Sequence, residues 1–499
     1  MKHFQLFINN QWIDAENGLT FKSVNPANKQ YVAELSAASA KDVAQACTAA
    51  RNAFESGVWS ELGGDKRAEY LLKVATIMKR RAREFAEYEA METGKPISET
   101  INVDIPYSIW AFEYFANLAR EVRGEVIPIS GNPGRNIFNY VTHEPYGVVA
   151  VISPYNFPLH LMTRSLCPAL AAGNTCVCKA SATTPSTAAL LAEVIEEAGL
   201  PAGVVNVIHG LGKVCGEALA SNREVDIIAF TGSVEVGRKL MHYSADSPVM
   251  KKTLLELGGK GPAIVEPDCD LELATNAQLE GFTFNQGEVC CAMTRLLLHE
   301  DIYDECLAML VKKANALKMG DTLDETTQLG SLINDKHLEA VDRCVQEAVA
   351  AGARVICGGE RYTVPPCDQG SYYRPTILVD VEPSMKCFRD EIFGPVLVVK
   401  KYKTLEEAIA LANDTDFGLG ANIFTQDLKK AYWLARKLNA GSIWVNMANG
   451  SMMPCPFGGN KNSGLGREYG VVGLHEYLKV KNNMWMMKNE GPTFGGDKL

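Results

Sequence analysis

The sequence predicts an α/β protein built from two doubly wound parallel-sheet units and a small extra β element. Three observations carry this expectation. Between Tyr146 and Ala245 short apolar runs recur at the spacing of a βα unit. A second series of the same kind follows Cys290. The 499 residues also exceed what one ordinary hydrophobic core organises, so two or three packed units are expected.

Taken from the amino terminus, Lys66–Thr93 carries charged and apolar residues at helical spacing, which predicts one long amphipathic helix lying on the first unit. Val148–Ile152, Thr175–Cys178, Val204–Ile208 and Ile227–Phe230 read as buried parallel strands with helices on both faces. Pro185 opens the helical segment Ser186–Ala198 and Gly199 closes it, the usual placement of these two residues. Beyond Cys290 the second series runs through strand Arg295–Leu298, helices Ile302–Leu317 and Lys336–Ala351, and strand Arg354–Cys357, followed by Val396–Tyr402, Leu405–Asn413 and Ser442–Val445. Ile127–Glu144, polar and turn-rich, and Glu476–Asn489, with its Met484–Met487 cluster, fit neither series and are expected to form strands that pair between subunits.

Composition narrows the function. Apolar residues at 47% and charged residues at 22% describe an ordinary globular chain. A formal charge of −10 without a basic block argues against nucleic acid, whose binding rests on Lys and Arg neutralising phosphates. Fourteen cysteines spread along a long chain, behind a start lacking a signal-peptide apolar region, fit a reducing cytoplasmic setting. No apolar run approaches the roughly 18 to 20 residues of a membrane span, and none is expected. Several familiar motifs are missing. Gly210-Leu-Gly212 is followed by Gly216, one residue too far for the G-x-G-x-x-G dinucleotide fingerprint. Gly232 and Gly237 have P-loop spacing, but Arg238-Lys239 stands where Lys-Ser/Thr would meet phosphate and magnesium. The eight histidines lack ligand spacing, so no metal is expected.

What remains is a set of chemistry-bearing segments, each with an ordinary structural reading beside the functional one. Cys290 and Cys291 follow a glycine turn at Gly287, where a thiol becomes a nucleophile if a base or dipole assists it; two buried structural cysteines would look the same. Glu256 sits in an apolar run ending in Gly258 and Gly259, where burial raises a carboxyl pKa toward that of a general base; a salt-bridged strand end is the alternative. Asn156 closes the first strand, at the carboxyl edge where open α/β sheets bind ligands, with an amide able to donate to an oxyanion or to satisfy its own turn. Gly232-Ser233 leads from a strand into a helix whose amides suit a phosphate, or merely cap a turn. Lys179 is within reach of a ribose hydroxyl or of solvent.

In their order along the chain, Pro154–Pro158, Lys179, Gly232–Gly237, Leu255–Gly259, Asn285–Cys290, Glu391–Pro395 and Pro456–Gly466 resemble the aldehyde dehydrogenase superfamily, from Leu6–Asp14 to about Glu476. The resemblance implies that fold, with a cofactor-binding domain over residues 1–126 and 147–256, a catalytic domain over 257–447, a return to the domain interface over 448–475, and oligomerisation segments at 127–146 and 476–499 of a homodimer or homotetramer. It implies oxidation of an aldehyde to the acid with NAD or NADP through a thiohemiacetal and thioester on Cys290, with Glu256 as general base and Asn156 in the oxyanion hole. Residues alone do not choose between Cys290 and Cys291. The cofactor contacts it implies are Ser153, Tyr155, Lys179, Ala182, Gly212, Gly232, Ser233, Gly237, Leu257, Glu391 and Phe393; the substrate contacts are Phe157, Leu161, Arg164, Phe284, Val289 and Phe457. Three departures stand out: Tyr155 for the commoner tryptophan, Glu288 for glutamine two residues before the nucleophile, and Ala182 for the glutamate that strict NAD enzymes place at the adenosine ribose, which leaves room for a 2′-phosphate. A coenzyme A-acylating relative and a non-catalytic protein of the same fold are the rival readings; Glu256 weighs against the first, and the intact set of Cys290, Glu256, Asn156 and Lys179 against the second.

Overall fold

A computed structural model describes residues 2–129 and 137–487. Val148–Ile152, Thr175–Lys179, Val205–Ile208, Ile227–Thr231 and Lys252–Glu256 form the parallel centre of an eight-stranded sheet. Leu6–Ile8 and Gln11–Ile13 extend one edge antiparallel, and Gly464–Leu465 closes the other. Strands buried on both faces need apolar residues at every position, and the first four named are buried throughout. Val149 and Val151 join a core with helices Gly64–Arg80, Ile105–Ala119, Pro158–Ala172 and Ser186–Ala198. Val148, Ala150 and Ile152 face the other way, onto Ala40–Glu55 and Val234–Asp246.

The second sheet has seven strands in the order Arg354–Cys357, Thr376–Val379, Val396–Tyr402, Arg295–His299, Pro262–Val265, Gly420–Phe424 and Ser442–Val445. All neighbours are parallel except the first pair. Leu271–Thr283 and Tyr303–Asn315 cover one face; Asp335–Ala350, Leu405–Asn413 and Leu428–Lys437 cover the other. Pro262–Val265, Thr376–Val379 and Gly420–Phe424 are absent from the sequence reading because Pro262, Thr376, Gly420 and Asn422 cut their apolar runs to three residues or fewer.

One expectation is corrected. Lys66–Thr93 is not one helix: Gly64–Arg80 and Ala82–Thr93 meet at Arg81, whose φ of −102° and ψ of 12° break the helical path. The Arg81 guanidinium spans from Glu84 at 2.8 Å to Glu193 at 2.6 Å, tying the break to the helix Ser186–Ala198. The two segments expected to form strands do so, and within one chain they pair with each other. Ile137–Pro145 runs antiparallel to Leu478–Met486 from Ile137↔Met486 to Pro145↔Leu478, and Glu125–Val126 adds a third strand. Residues 130–136 and 488–499 of those expected segments lie outside the described residues. Among the described residues no helix is long and apolar enough to cross a membrane.

Glu92, at the end of Ala82–Thr93, accepts the Ser186 backbone N–H at 3.0 Å and its hydroxyl at 2.5 Å, closing the start of Ser186–Ala198. Burial pushes this carboxyl up to about 7, against the hydrogen bonds from Ser186 and Ser23. A folded pKa above the unfolded value means the native state binds the extra proton, so this stability is present at low pH and lost as pH rises through about 7. The shift corresponds to about 3 kcal/mol. Glu92→Gln should remove that part of the decline between about pH 4 and 8, the range spanned by the unfolded and folded pKa values, read as the pH dependence of urea unfolding midpoints in both proteins.

Candidate active site

Along the first sheet the strand order reverses between Val148–Ile152 and Ile227–Thr231, and at such a switch point the loops leaving the carboxyl ends diverge and open a crevice. Ser153–Pro158 leaves one strand and Gly232-Ser233 the other. Ser153 is buried and its hydroxyl has no partner among the described residues. Ser233 caps the helix Val234–Asp246, accepting the Val236 N–H at 3.3 Å. Gly237 lies in that helix against Leu257. Lys179 ends the neighbouring strand, buried, its ammonium donating to the Ala180 carbonyl at 2.9 Å; burial lowers its pKa to about 8. Ala182 lies in the turn that follows and Gly212 at the start of a five-residue π-helical turn, Gly212–Gly216. Where the fingerprint would have its third glycine stands Cys215, whose thiol donates to the Ala38 carbonyl at 3.1 Å. The motif is missed because this turn is wider by one residue and packed against the chain.

Glu391 and Phe393 reach the crevice from the loop before Val396–Tyr402 of the second sheet. Glu391 accepts the Gly259 N–H at 2.9 Å, and burial raises its carboxyl to about 7. Phe393 holds a left-handed φ of 58°. On the other side of Cys290 opens a cavity of about 450 Å³. All six residues expected to contact substrate line it: Phe157, Leu161, Arg164, Phe284, Val289 and Phe457. Phe157 and Phe284 stack at 6.0 Å between ring centres.

The loop ahead of the cysteine pair is strained. Asn285, Gln286 and Gly287 take left-handed φ values of 47°, 54° and 73° in succession, and such non-glycine positions persist only where surroundings fix them. Here they are fixed from both ends. The Asn285 N–H donates to Glu99 at 3.0 Å, its side-chain amide to the Asn156 carbonyl at 2.9 Å, and the Asn156 amide to the Glu288 carbonyl at 2.8 Å. Gly287 lies so close to the Gly394 carbonyl that a Cβ would stand 2.3 Å from its oxygen. The Asn156 carbonyl also receives Lys95 Nζ at 2.8 Å, and Lys95 is fully buried in an ion pair of 2.6 Å with Asp104.

Glu256 ends its strand 4% exposed, with neither carboxyl oxygen hydrogen-bonded among the described residues. Burial holds its pKa well above the ordinary carboxylate range, against the pull of the Arg164 guanidinium. The Cys290 thiol is also pushed up, by the hydrogen bond it gives Cys291 and by burial. Cys291 is drawn down by accepting that bond, and the Asn449 amide assists. Arg164, 2% exposed, donates to the Thr231 hydroxyl at 2.7 Å and lies 5.7 Å from the Phe457 and Tyr469 ring centres.

The structure thus gathers the six residues expected to contact substrate around one cavity with Cys290, and Asn156 meets the loop ahead of Cys290 at the Glu288 carbonyl. Sequence reasoning missed Lys95, Asp104 and Asn449, which carry no motif and meet the site only through the fold. It also missed His337, at the third position of Asp335–Ala350, although the departure at Glu288, its neighbour at 3.6 Å, was a signal.

The chain matches the aldehyde dehydrogenase family model over residues 12–483. It is 40% identical over 477 residues to a betaine aldehyde dehydrogenase of Bacillus subtilis, covering 96% of each chain. It is 39% identical over 478 residues to the mitochondrial aldehyde dehydrogenase of Homo sapiens, covering 96% of this chain and 91% of that one. The solved NAD+ complex of an aldehyde dehydrogenase from Bacillus cereus superimposes with a TM-score of 0.94 at 37% identity, covering 97% of each chain.

Lys95 supplies the clearest test of how the site is held. Removing one partner of a buried ion pair leaves the other charge uncompensated, so Lys95→Ala should cost about 3–5 kcal/mol in unfolding free energy. With the Asn156 carbonyl released, turnover should fall as well, and Lys95→Arg should recover less than half of either loss, because its planar guanidinium does not match a compact ammonium site. Thermal melting and initial rates on the same preparations check both.

Proposed function

The chain belongs to the aldehyde dehydrogenase family and is an NAD(P)-dependent aldehyde dehydrogenase; from that premise we propose that Cys290 attacks the aldehyde, Asn156 stabilises the oxyanion and Glu256 activates the water that hydrolyses the thioester. The observation that carries this reading is the buried Glu256 carboxyl, unpartnered among the described residues and raised in pKa, near a Cys290 thiol whose own pKa is pushed up. Such a thiol needs a base before it attacks, and a general base with a pKa lifted toward neutrality suits both that proton and the later one from water. The Asn156 side chain gives one N–H to the Glu288 carbonyl and keeps a second for an oxyanion. When bound, the nicotinamide cofactor accepts the hydride that leaves the tetrahedral centre.

The residues present fit such a cofactor. The unpartnered Ser153 hydroxyl and the helix N-terminus at Ser233 face the crevice at the switch point. Lys179 and Ala182 would hold the adenosine ribose, with Gly212 and Leu257 beside the nucleotide, Gly232, Ser233 and Gly237 the pyrophosphate, and Tyr155, Glu391 and Phe393 the nicotinamide end. The aldehyde enters the cavity between Phe157, Phe284, Leu161, Val289 and Phe457, with Arg164 at its wall. The first sheet and its helices serve as the cofactor domain, the second as the catalytic domain. The strand pair Ile137–Pro145 and Leu478–Met486 leaves Val480, Met484 and Trp485 exposed, a surface suited to joining subunits of a homo-oligomer.

Cys290→Ala should abolish reduced-cofactor formation while leaving folding intact, and Cys291→Ala should be far milder; retained turnover in the first, or equal loss in both, would identify the wrong sulfur. Glu256→Gln should slow thioester hydrolysis by about 10²–10⁴. Because the carboxyl pKa is raised, the base form appears as pH increases, so the wild-type rate should climb on a limb above the ordinary carboxylate range. That limb should vanish in the variant, measured as steady-state rate against pH.

Cofactor choice is tested at position 182, half-buried in the turn after Thr175–Lys179. Ala182→Glu places a carboxylate against a 2′-phosphate. Like charges at about 4 Å repel by up to about 4 kcal/mol at an effective dielectric of 20. The ratio of kcat/KM for NADP over NAD should fall in the variant; an unchanged ratio shows that position 182 faces elsewhere.

A further inference from the structure

Around Phe393 the structure contains a linkage that the reaction scheme above does not use. The His337 Nε2 lies 2.6 Å from the Phe393 carbonyl oxygen, and since that oxygen only accepts, Nε2 carries the hydrogen. The same nitrogen stands 3.6 Å from Glu288 Oε1, which also accepts the Ile333 N–H at 3.2 Å. His337 sits at the third position of Asp335–Ala350, where the positive end of a helix disfavours a second proton on the ring. Burial lowers its pKa further, so the ring stays a neutral donor.

Geometry makes this a strut between two loops. Glu288 is two residues from Cys290, 1% exposed, and its backbone carbonyl already receives the Asn156 and Asn285 amides. Phe393 is held on a left-handed backbone that a phenylalanine occupies only under constraint. Its ring is caged edge-on by His337 at 6.2 Å and Tyr155 at 6.0 Å. The Tyr155 hydroxyl in turn faces the Glu288 carboxyl. Gly287, between Asn285 and Glu288, rests on the Gly394 carbonyl. The loop carrying the nucleophile and the loop carrying Phe393 are therefore braced through the start of one helix.

We propose that His337, hydrogen-bonded to the Phe393 carbonyl, is a positioning residue that fixes Phe393 relative to Cys290 and so sets the geometry of hydride transfer. This rests on the reading of Cys290 as nucleophile and Phe393 as nicotinamide contact. The strut acts on the hydride step and not on thioester hydrolysis, because the water and its base Glu256 approach from another strand. Glutamine at position 337 keeps an N–H donor within reach of the Phe393 carbonyl; leucine keeps the volume and loses the donor.

The test is a single-turnover measurement of reduced cofactor at saturating aldehyde, with protio and 1-deutero substrate, followed by the rate of thioester hydrolysis, in the wild type, His337→Leu and His337→Gln. In His337→Leu the hydride step should slow by about 10- to 100-fold, the loss expected of a reacting geometry displaced by a fraction of an ångström to one ångström. The deuterium isotope effect should then appear in steady-state kcat, hydrolysis should change less than the hydride step, and His337→Gln should recover most of the loss. Equal slowing of both steps, or no recovery by glutamine, would mean that His337 only supports the fold. A wild type that turns over, with His337→Leu indistinguishable from it in transient and isotope effect, overturns this inference alone. A wild type that reduces no cofactor with any aldehyde overturns the reading of the site and this inference with it.

Discussion

Burying an ammonium costs several kcal/mol unless its charge and its hydrogens are all answered. Lys95 has no solvent contact, and its answers define one corner of the molecule: the Asp104 carboxylate at 2.6 Å, the Asn156 carbonyl at 2.8 Å and the Phe157 ring at 3.9 Å. Everything nearer the chemistry hangs from that corner. With the Asn156 backbone held, its amide is aimed at the Glu288 carbonyl, and the strained Asn285–Gly287 turn is stitched to the same residue. The first sheet supplies Asn156 and the second supplies the cysteine loop, so this one buried cation registers two halves of the molecule against each other.

The same dryness that strengthens Lys95 shapes the proton chemistry. Glu256, Glu391 and Glu468 all lie in the crevice region with carboxyl pKa values raised by burial, the last two to about 7. His160 is driven the other way, to about 3, by burial and the nearby Arg164 charge, and stays a neutral partner for Tyr469 at 2.7 Å. One low-dielectric pocket thus turns carboxylates into near-neutral bases and histidines into plain hydrogen-bonding groups. A carboxylate in water would be too weak a base to matter, so burial of Glu256 and usefulness of Glu256 are the same property.

What the sequence disclosed follows from how local each signal is. Val148–Ile152 was legible to the residue because a strand buried on both faces must be apolar at every position. The break at Arg81 was not legible, since its cause is a partner on another helix, Glu193, 112 residues away. The strands expected within Ile127–Glu144 and Glu476–Asn489 were legible because strand character is written in a segment, whereas their pairing with each other is not. Cys290 and Cys291 stayed indistinguishable because adjacent thiols share one local pattern. Only their surroundings differ, with the Asn449 amide on Cys291 from 158 residues away.

That distinction also explains why the recognisable motifs are rich in glycine. Gly259 and Gly287 mark places where two loops approach too closely for a side chain: a Cβ on the first would stand 2.2 Å from the Cys290 carbonyl oxygen, and on the second 2.3 Å from that of Gly394. Each contact joins segments far apart in the chain, so each glycine is a long-range constraint recorded at a single position. The side chains that brace those contacts, Lys95 and His337, act through donor geometry that other residue types satisfy elsewhere, and leave no such mark. A sequence therefore reports where the backbones of an active site touch more readily than what holds them there. Departures from a family pattern at braced positions, such as Glu288 with His337 beside it, point to where that bracing has been rebuilt.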